Sequence, residues 1–98
     1  MAKGYWVVHV DVTDQEAYIA GYITAAKDTL AAYGAVFKVR AGIRTVVEGV
    51  VRARTVVIEF PSYQAALDCY NAPEYQNAKA KRDLVAIGDF VIIEGYDG

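Results

Sequence analysis

The chain has 98 residues, 55% of them hydrophobic and 22% charged, a balance that excludes a disordered tail and suits one globular domain over residues 1–98. A net charge of −2 removes the electrostatic case for a nucleic-acid or anionic-membrane partner, and no apolar run reaches the roughly 18 residues of a membrane helix. A single cysteine, Cys69, excludes an internal disulfide and a thiolate metal cluster, so with no leader before the first strand the expected location is cytoplasmic.

Residues Tyr5 to Val12 alternate, with Trp6, Val8, Val10 and Val12 on one face and Tyr5, Val7, His9 and Asp11 on the other. This period of two predicts a strand. Thr13-Asp14-Gln15-Glu16 reads as a capping box in which the Thr13 hydroxyl meets the Glu16 amide. Behind it Tyr18, Tyr22, Ala26, Leu30 and Tyr33 recur at near i, i+4 spacing, one stripe of a helix that Gly34 ends. Val36 to Arg40 predicts a second strand, with Phe37 and Val39 on one face and Lys38 and Arg40 on the other; Gly42 suggests a bulge or break, and the strand can resume over Arg44 to Glu48. After a polar connection, Thr55 to Phe60 predicts a third strand, stopped by Pro61-Ser62, which caps the next helix. Ala66, Leu67 and Tyr70 are that helix's buried stripe. Asn71-Ala72-Pro73 interrupts it, because proline suits the first turn of a helix and not its interior. The new segment carries Tyr75, Ala78 and Arg82 and ends by Gly88, and Asp89 to Glu94 predicts the last strand.

The chain repeats itself at a spacing of 48 residues: Val8-Val10-Asp11-Val12 followed by Asp14, Ala17 and Tyr22 returns as Val56-Ile58-Glu59-Phe60 followed by Ser62, Ala65 and Tyr70. Each copy is a strand, a helix-capping residue and a helix. The order β-α-β-β-α-β, with right-handed crossovers, predicts an α+β ferredoxin-like sandwich: a four-stranded antiparallel sheet with both helices on one face. The other face then carries Val7, Val57 and either Ile92 or its neighbours Val91 and Ile93. An open apolar face is an association surface, and a second copy of the chain is the expected partner.

Several segments resemble the bacterial family called domain of unknown function 1330. They are Lys3-Gly4-Tyr5-Trp6-Val7-Val8, Val12-Thr13-Asp14, Tyr33-Gly34-Ala35, Val39-Arg40-Ala41-Gly42, Glu48-Gly49, Ile58-Glu59-Phe60-Pro61-Ser62 and Asn71-Ala72-Pro73-Glu74-Tyr75-Gln76. The resemblance implies the dimeric α/β-barrel superfamily. Its members include cofactor-free monooxygenases, muconolactone-isomerase-like enzymes and haem-binding proteins. Ala41 stands where many of the family would show glycine.

Candidate chemistry is sparse. His9, the one histidine, Asp11 and Glu59 are expected on the face away from the helices, and Arg40 with Lys38 joins them if the second and third strands pair in regular register. Glu59 or His9 would then be a catalytic base and Arg40 an electrostatic clamp on an anionic or carbonyl substrate. The same groups would equally form a mixed-charge network completing a dimer interface. Trp6, Tyr22 and Tyr70, with Tyr18, face the space between helices and sheet, as substrate-binding aromatics or as plain core. Cys69 has no local base and reads as a packed thiol. No metal is expected, since one histidine and one cysteine fall short of a zinc set, and no cofactor is expected, since the chain has no phosphate-cradling glycine loop. Two functions fit: a cofactor-free isomerase, decarboxylase or oxygenase on an aromatic or oxo-acid metabolite, and a non-catalytic binding or structural dimer.

Overall fold

The computed structural model describes residues 2–97. Four strands, β1 (Gly4–Val12), β2 (Val36–Arg40), β3 (Arg54–Phe60) and β4 (Ala86–Glu94), form one antiparallel sheet in the order β2-β3-β1-β4. This is the ferredoxin-like arrangement that the 48-residue echo predicts. Three helices pack on one face: a first over residues 15–32, a second over Tyr63–Asn71 and a third over Pro73–Arg82. The last two are the interrupted helix of the sequence. Ala72 has extended backbone (φ −62°, ψ 137°) and Pro73 opens the new first turn.

Local chemistry sets each boundary. The first helix is capped by Asp14, whose carboxylate accepts from the Ala17 amide at 3.0 Å. Thr13 makes no capping box; its hydroxyl donates to the Val85 carbonyl at 2.9 Å and ties the end of β1 to the start of β4. Ser62 caps the second helix in the position equivalent to Asp14, accepting from the Ala65 amide at 3.0 Å. The first helix ends at Gly34, whose φ of +78° is the left-handed geometry that glycine adopts freely.

The core lies between sheet and helices. Trp6, Val8, Val10, Ile58 and Phe60 from the strands meet Tyr22, Ala26, Leu30, Ala66, Cys69, Tyr75 and Ala78 from the helices, all buried. Ile92 pairs with Trp6 and faces inward, so Val91 and Ile93 are the outward residues of β4. The outer face is bare: Val36, Val39, Ile87, Val91 and Ile93 are between 42% and 61% exposed.

Two expectations fail around β2. Its register slips between Phe37 and Val39, so Lys38 is an extra residue against β3. One inserted residue exchanges the two faces of every residue after it. Phe37 pairs with Ile58 and faces the helices, Val39 pairs with Val57 and faces outward, and Arg40 pairs with Val56 and faces the helices again. The second failure is the resumed strand over Arg44 to Glu48, which does not form. Ala41 adopts a φ of +53° and turns the chain off the sheet edge into a loop over residues 41–53. That loop is pinned at its far end by Arg52, which bonds Asp11 at 2.9 Å and Asp89 at 3.1 Å, and by the Ala53 amide, which donates to Asp11 at 2.8 Å.

Candidate functional site

The slip in β2 divides the expected cluster between the two faces of the sheet. On the outer face the antiparallel register sets Glu59 opposite Tyr5 and His9 opposite Thr55. Four residues of strand, roughly 13 Å, separate the two groups. Each has its own partner. The Tyr5 hydroxyl donates to Glu59 at 3.0 Å, and His9 Nδ1 lies 3.0 Å from the Thr55 hydroxyl. Arg44 also donates to that hydroxyl, at 2.9 Å. Arg40 is not among them, because the bulge carries it to the other face.

On the helix side Arg40 joins Trp6 and Tyr22 in the wall of a cavity of about 330 Å³ between the sheet and the first helix. This volume is at the small end of ligand pockets. Val8, Tyr18, Phe37 and Phe90 are among the residues of the remaining apolar wall. The polar groups gather at one end: Arg40 closes β2, Arg54 opens β3, and Gln15 starts the first helix. Arg54 donates to the Gln15 side-chain carbonyl, and the Arg40 guanidinium lies 4.8 Å from the centre of the Phe37 ring. Among the described residues neither guanidinium is paired with a carboxylate.

The aromatic wall is held rigidly. Trp6 donates its ring N–H to the Ala66 carbonyl at 2.9 Å and packs against Phe60 and Tyr75 at ring distances of 5.1 and 4.9 Å. Tyr70 meets Trp6 edge-on at 5.9 Å but does not line this cavity, so it supports the wall from behind. The first helix bears on the site through an irregularity. Over Tyr18–Ile23 it is wound as a π-helix, and Thr24 bonds back to the Ile19 carbonyl with both its amide and its hydroxyl. Such wider turns recur at functional sites. Here the turn presents Tyr18 and Tyr22 to the cavity.

Sequence reasoning overlooked the group behind Tyr22. Arg82 on the third helix is only 6% exposed. Its Nη1 donates to the Tyr75 hydroxyl at 2.8 Å, and that hydroxyl lies 2.6 Å from the hydroxyl of Tyr22. The guanidinium also sits 4.0 Å from the Phe90 ring centre and 5.4 Å from that of Tyr22, cation–π contacts. The signal was an arginine on the buried stripe of Tyr75 and Ala78. Burial raises the pKa values of Tyr22 and Tyr75 and brings that of Tyr18 to about 12. These phenols therefore stay protonated and do not serve as bases. Burial likewise pushes the Cys69 thiol up to about 12, which leaves it without thiolate reactivity.

Comparison with solved structures places the fold. A protein of unknown function from Rhodopseudomonas palustris superposes with a TM-score of 0.77 at 14% identity, covering 99% of this chain and 85% of that one. SnoaB, a cofactor-independent oxygenase from Streptomyces nogalater, gives 0.64 at 9% identity over 100% and 97%. A dimeric ferredoxin-like protein of unknown function from Thermobifida fusca gives 0.57 at 15% identity over 95% and 89%. At these identities the likeness is one of fold. No curated protein matches the sequence. Residues 3–96 match the domain of unknown function 1330, and the chain belongs to that family.

Proposed function

We propose that this protein is a homodimer in which each copy binds a small aromatic or oxo-acid anion between sheet and helices and acts on it without a cofactor. The observation that carries the reading is the polarity of the cavity: an aromatic body with two guanidinium groups free of carboxylates at one end. A guanidinium presents a donor fork matched to a carboxylate, and the aromatic walls suit a planar ring. Arg40, Trp6 and Tyr22 are the substrate-binding residues of this proposal, with Arg54 added and Tyr70 as support.

The chemistry proposed is stabilisation of an enolate or phenolate by donors already in place. The cavity wall holds no carboxylate or imidazole among the described residues, so the substrate's proton passes to water. His9 and Glu59, expected as catalytic bases, are assigned instead to the outer face, where each already has a hydrogen-bond partner and where the second copy packs. The fold shared with a dimeric ferredoxin-like protein and with a cofactor-independent oxygenase supports this reading. The cytoplasmic setting belongs to the same proposal.

Calorimetric titration with 3-phenylpropanoate tests the site. Binding that is lost in Arg40→Ala supports it, and no binding to the wild type refutes it. Deuterium exchange at C3 of phenylpyruvate, followed by proton NMR, tests the turnover. Binding without accelerated exchange would leave the alternative, a non-catalytic small-molecule-binding dimer.

A further inference from the structure

Among the described residues, Arg82 is a buried cation without a buried counter-ion. Its nearest carboxylate is Asp83, 3.5 Å from Nη2; the Asp83 side chain is 51% exposed and is held more closely by Lys79, at 2.8 Å. Burying a charge is costly unless it is paired and its donors are satisfied. What Arg82 does have is an aromatic surround and the Tyr75 hydroxyl at 2.8 Å, with the Tyr22 hydroxyl beside it as a further acceptor.

The protons of this chain can be counted. Arg82 has only hydrogens to give, so the Tyr75 oxygen accepts. Between the Tyr75 and Tyr22 oxygens, 2.6 Å apart, there is room for one proton, and the two phenols carry two. If Tyr22 donates, the Tyr75 oxygen accepts twice and its own proton is stranded in the interior, at a residue with 0% exposure. A buried donor with no acceptor carries the full cost of an unmade hydrogen bond. If Tyr75 donates, its oxygen is satisfied by Arg82 on one side and Tyr22 on the other. The spare proton then belongs to Tyr22, the one member of the three that lines the cavity.

We infer that Tyr22 is an oxyanion donor: its hydroxyl, polarised through Tyr75 by Arg82, bonds a second oxygen of a ligand whose carboxylate is held at Arg40 and Arg54. This inference rests on the binding site proposed above and narrows its ligand. A simple arylalkanoate fills only the carboxylate end. A 2-oxo acid, its enolate or a hydroxyaromatic acid presents the additional oxygen. Tyr22 touches the ligand, while Tyr75 and Arg82 are positioning residues that orient and polarise its proton.

The test compares two acids with the same carbon skeleton, phenylpyruvate and 3-phenylpropanoate, by calorimetric titration of the full chain. In the wild type phenylpyruvate binds about tenfold more tightly, the yield of one charge-assisted hydrogen bond. In Tyr22→Phe that ratio falls to about one, and in Tyr75→Phe it falls part of the way. Each variant's own affinity for 3-phenylpropanoate is the reference: a merely structural role for the tyrosines would weaken both acids alike and leave the ratio at its wild-type value. A wild-type ratio near one overturns the inference and needs no variant. So does a Tyr22→Phe ratio equal to that of the wild type. If 3-phenylpropanoate binds and is lost in Arg40→Ala while the ratio is one, the binding site stands and the role of Tyr22 falls. If neither acid binds the wild type, both fall together.

Discussion

Removing the Tyr75 hydroxyl should cost far more stability than removing that of Tyr22, although the two oxygens share one hydrogen bond. Tyr75→Phe strips the atom that accepts from Arg82 at 2.8 Å and meets Tyr22 at 2.6 Å. Two groups lose their partner at once: a buried guanidinium and a buried phenol. A neutral group orphaned in this way costs about 1–3 kcal/mol and a charged one more, so the expected loss is about 4 kcal/mol. Tyr22→Phe leaves the Arg82–Tyr75 bond intact and orphans one phenolic proton, for about 1–2 kcal/mol. At this chain length a difference of about 2 kcal/mol is a separation of roughly 8–16 °C in Tm. Urea unfolding at fixed protomer concentration measures it, with the emission of Trp6, whose ring lies 4.9 Å from that of Tyr75, as one probe. The double variant should be more stable than the sum of the single losses implies, because each single change orphans a group that the other removes. Equal losses, a larger loss in Tyr22→Phe, or strict additivity would refute the proton assignment.

Four further outcomes follow from other parts of the structure. Val57→Asp, at the centre of the outer face, should give a folded monomer in sedimentation velocity; a stable dimer would place the interface elsewhere. Ala41→Gly should raise the stability by up to about 1 kcal/mol in urea unfolding, because the left-handed φ of +53° strains any residue with a Cβ; a loss would contradict this. Gly4→Ala should lower it by about 3 kcal/mol, since the new Cβ would lie 2.3 Å from the Ser62 carbonyl oxygen, and an unchanged Tm would count against the close packing of β1 on the second helix. The Ala53 amide and Arg52 hold the Asp11 carboxyl below its ordinary value of 3.8, so its contribution is present above that pH and is lost as pH falls through the lower folded value. Acid unfolding of Asp11→Asn should therefore be shallower than that of the wild type as pH falls below the ordinary carboxyl value of 3.8, and identical profiles would rule out that linkage.

Much of the fold was legible because it rests on local periodicities. The alternation of Trp6, Val8 and Val10 depends only on the pleat of one strand, and these three residues are the inward face of β1. The break at Ala72 follows from the ring of Pro73. The 48-residue echo even set Asp14 opposite Ser62, and both prove to be caps, whereas the capping-box motif pointed one residue too early, to Thr13. The site was less legible because its residues meet through space. Arg40 changes faces on a single extra residue, Lys38, and no pattern inside β2 marks that slip, which is a relation between two strands. Glu59 meets Tyr5 and not His9 because antiparallel pairing runs one strand backwards against the other. The contact of Tyr22 with Tyr75 spans 53 residues and joins two helices whose facing sides are set only when both settle on the sheet. Sequence alone determined the four strands, the helices, their order and the inward stripes of β1, β3 and the first helix, since those depend on neighbours a few positions away. Tertiary structure decided which polar groups share a face and which arginines, among the described residues, reach the cavity unpaired with a carboxylate, because register and helix docking are fixed by the packing of the whole core.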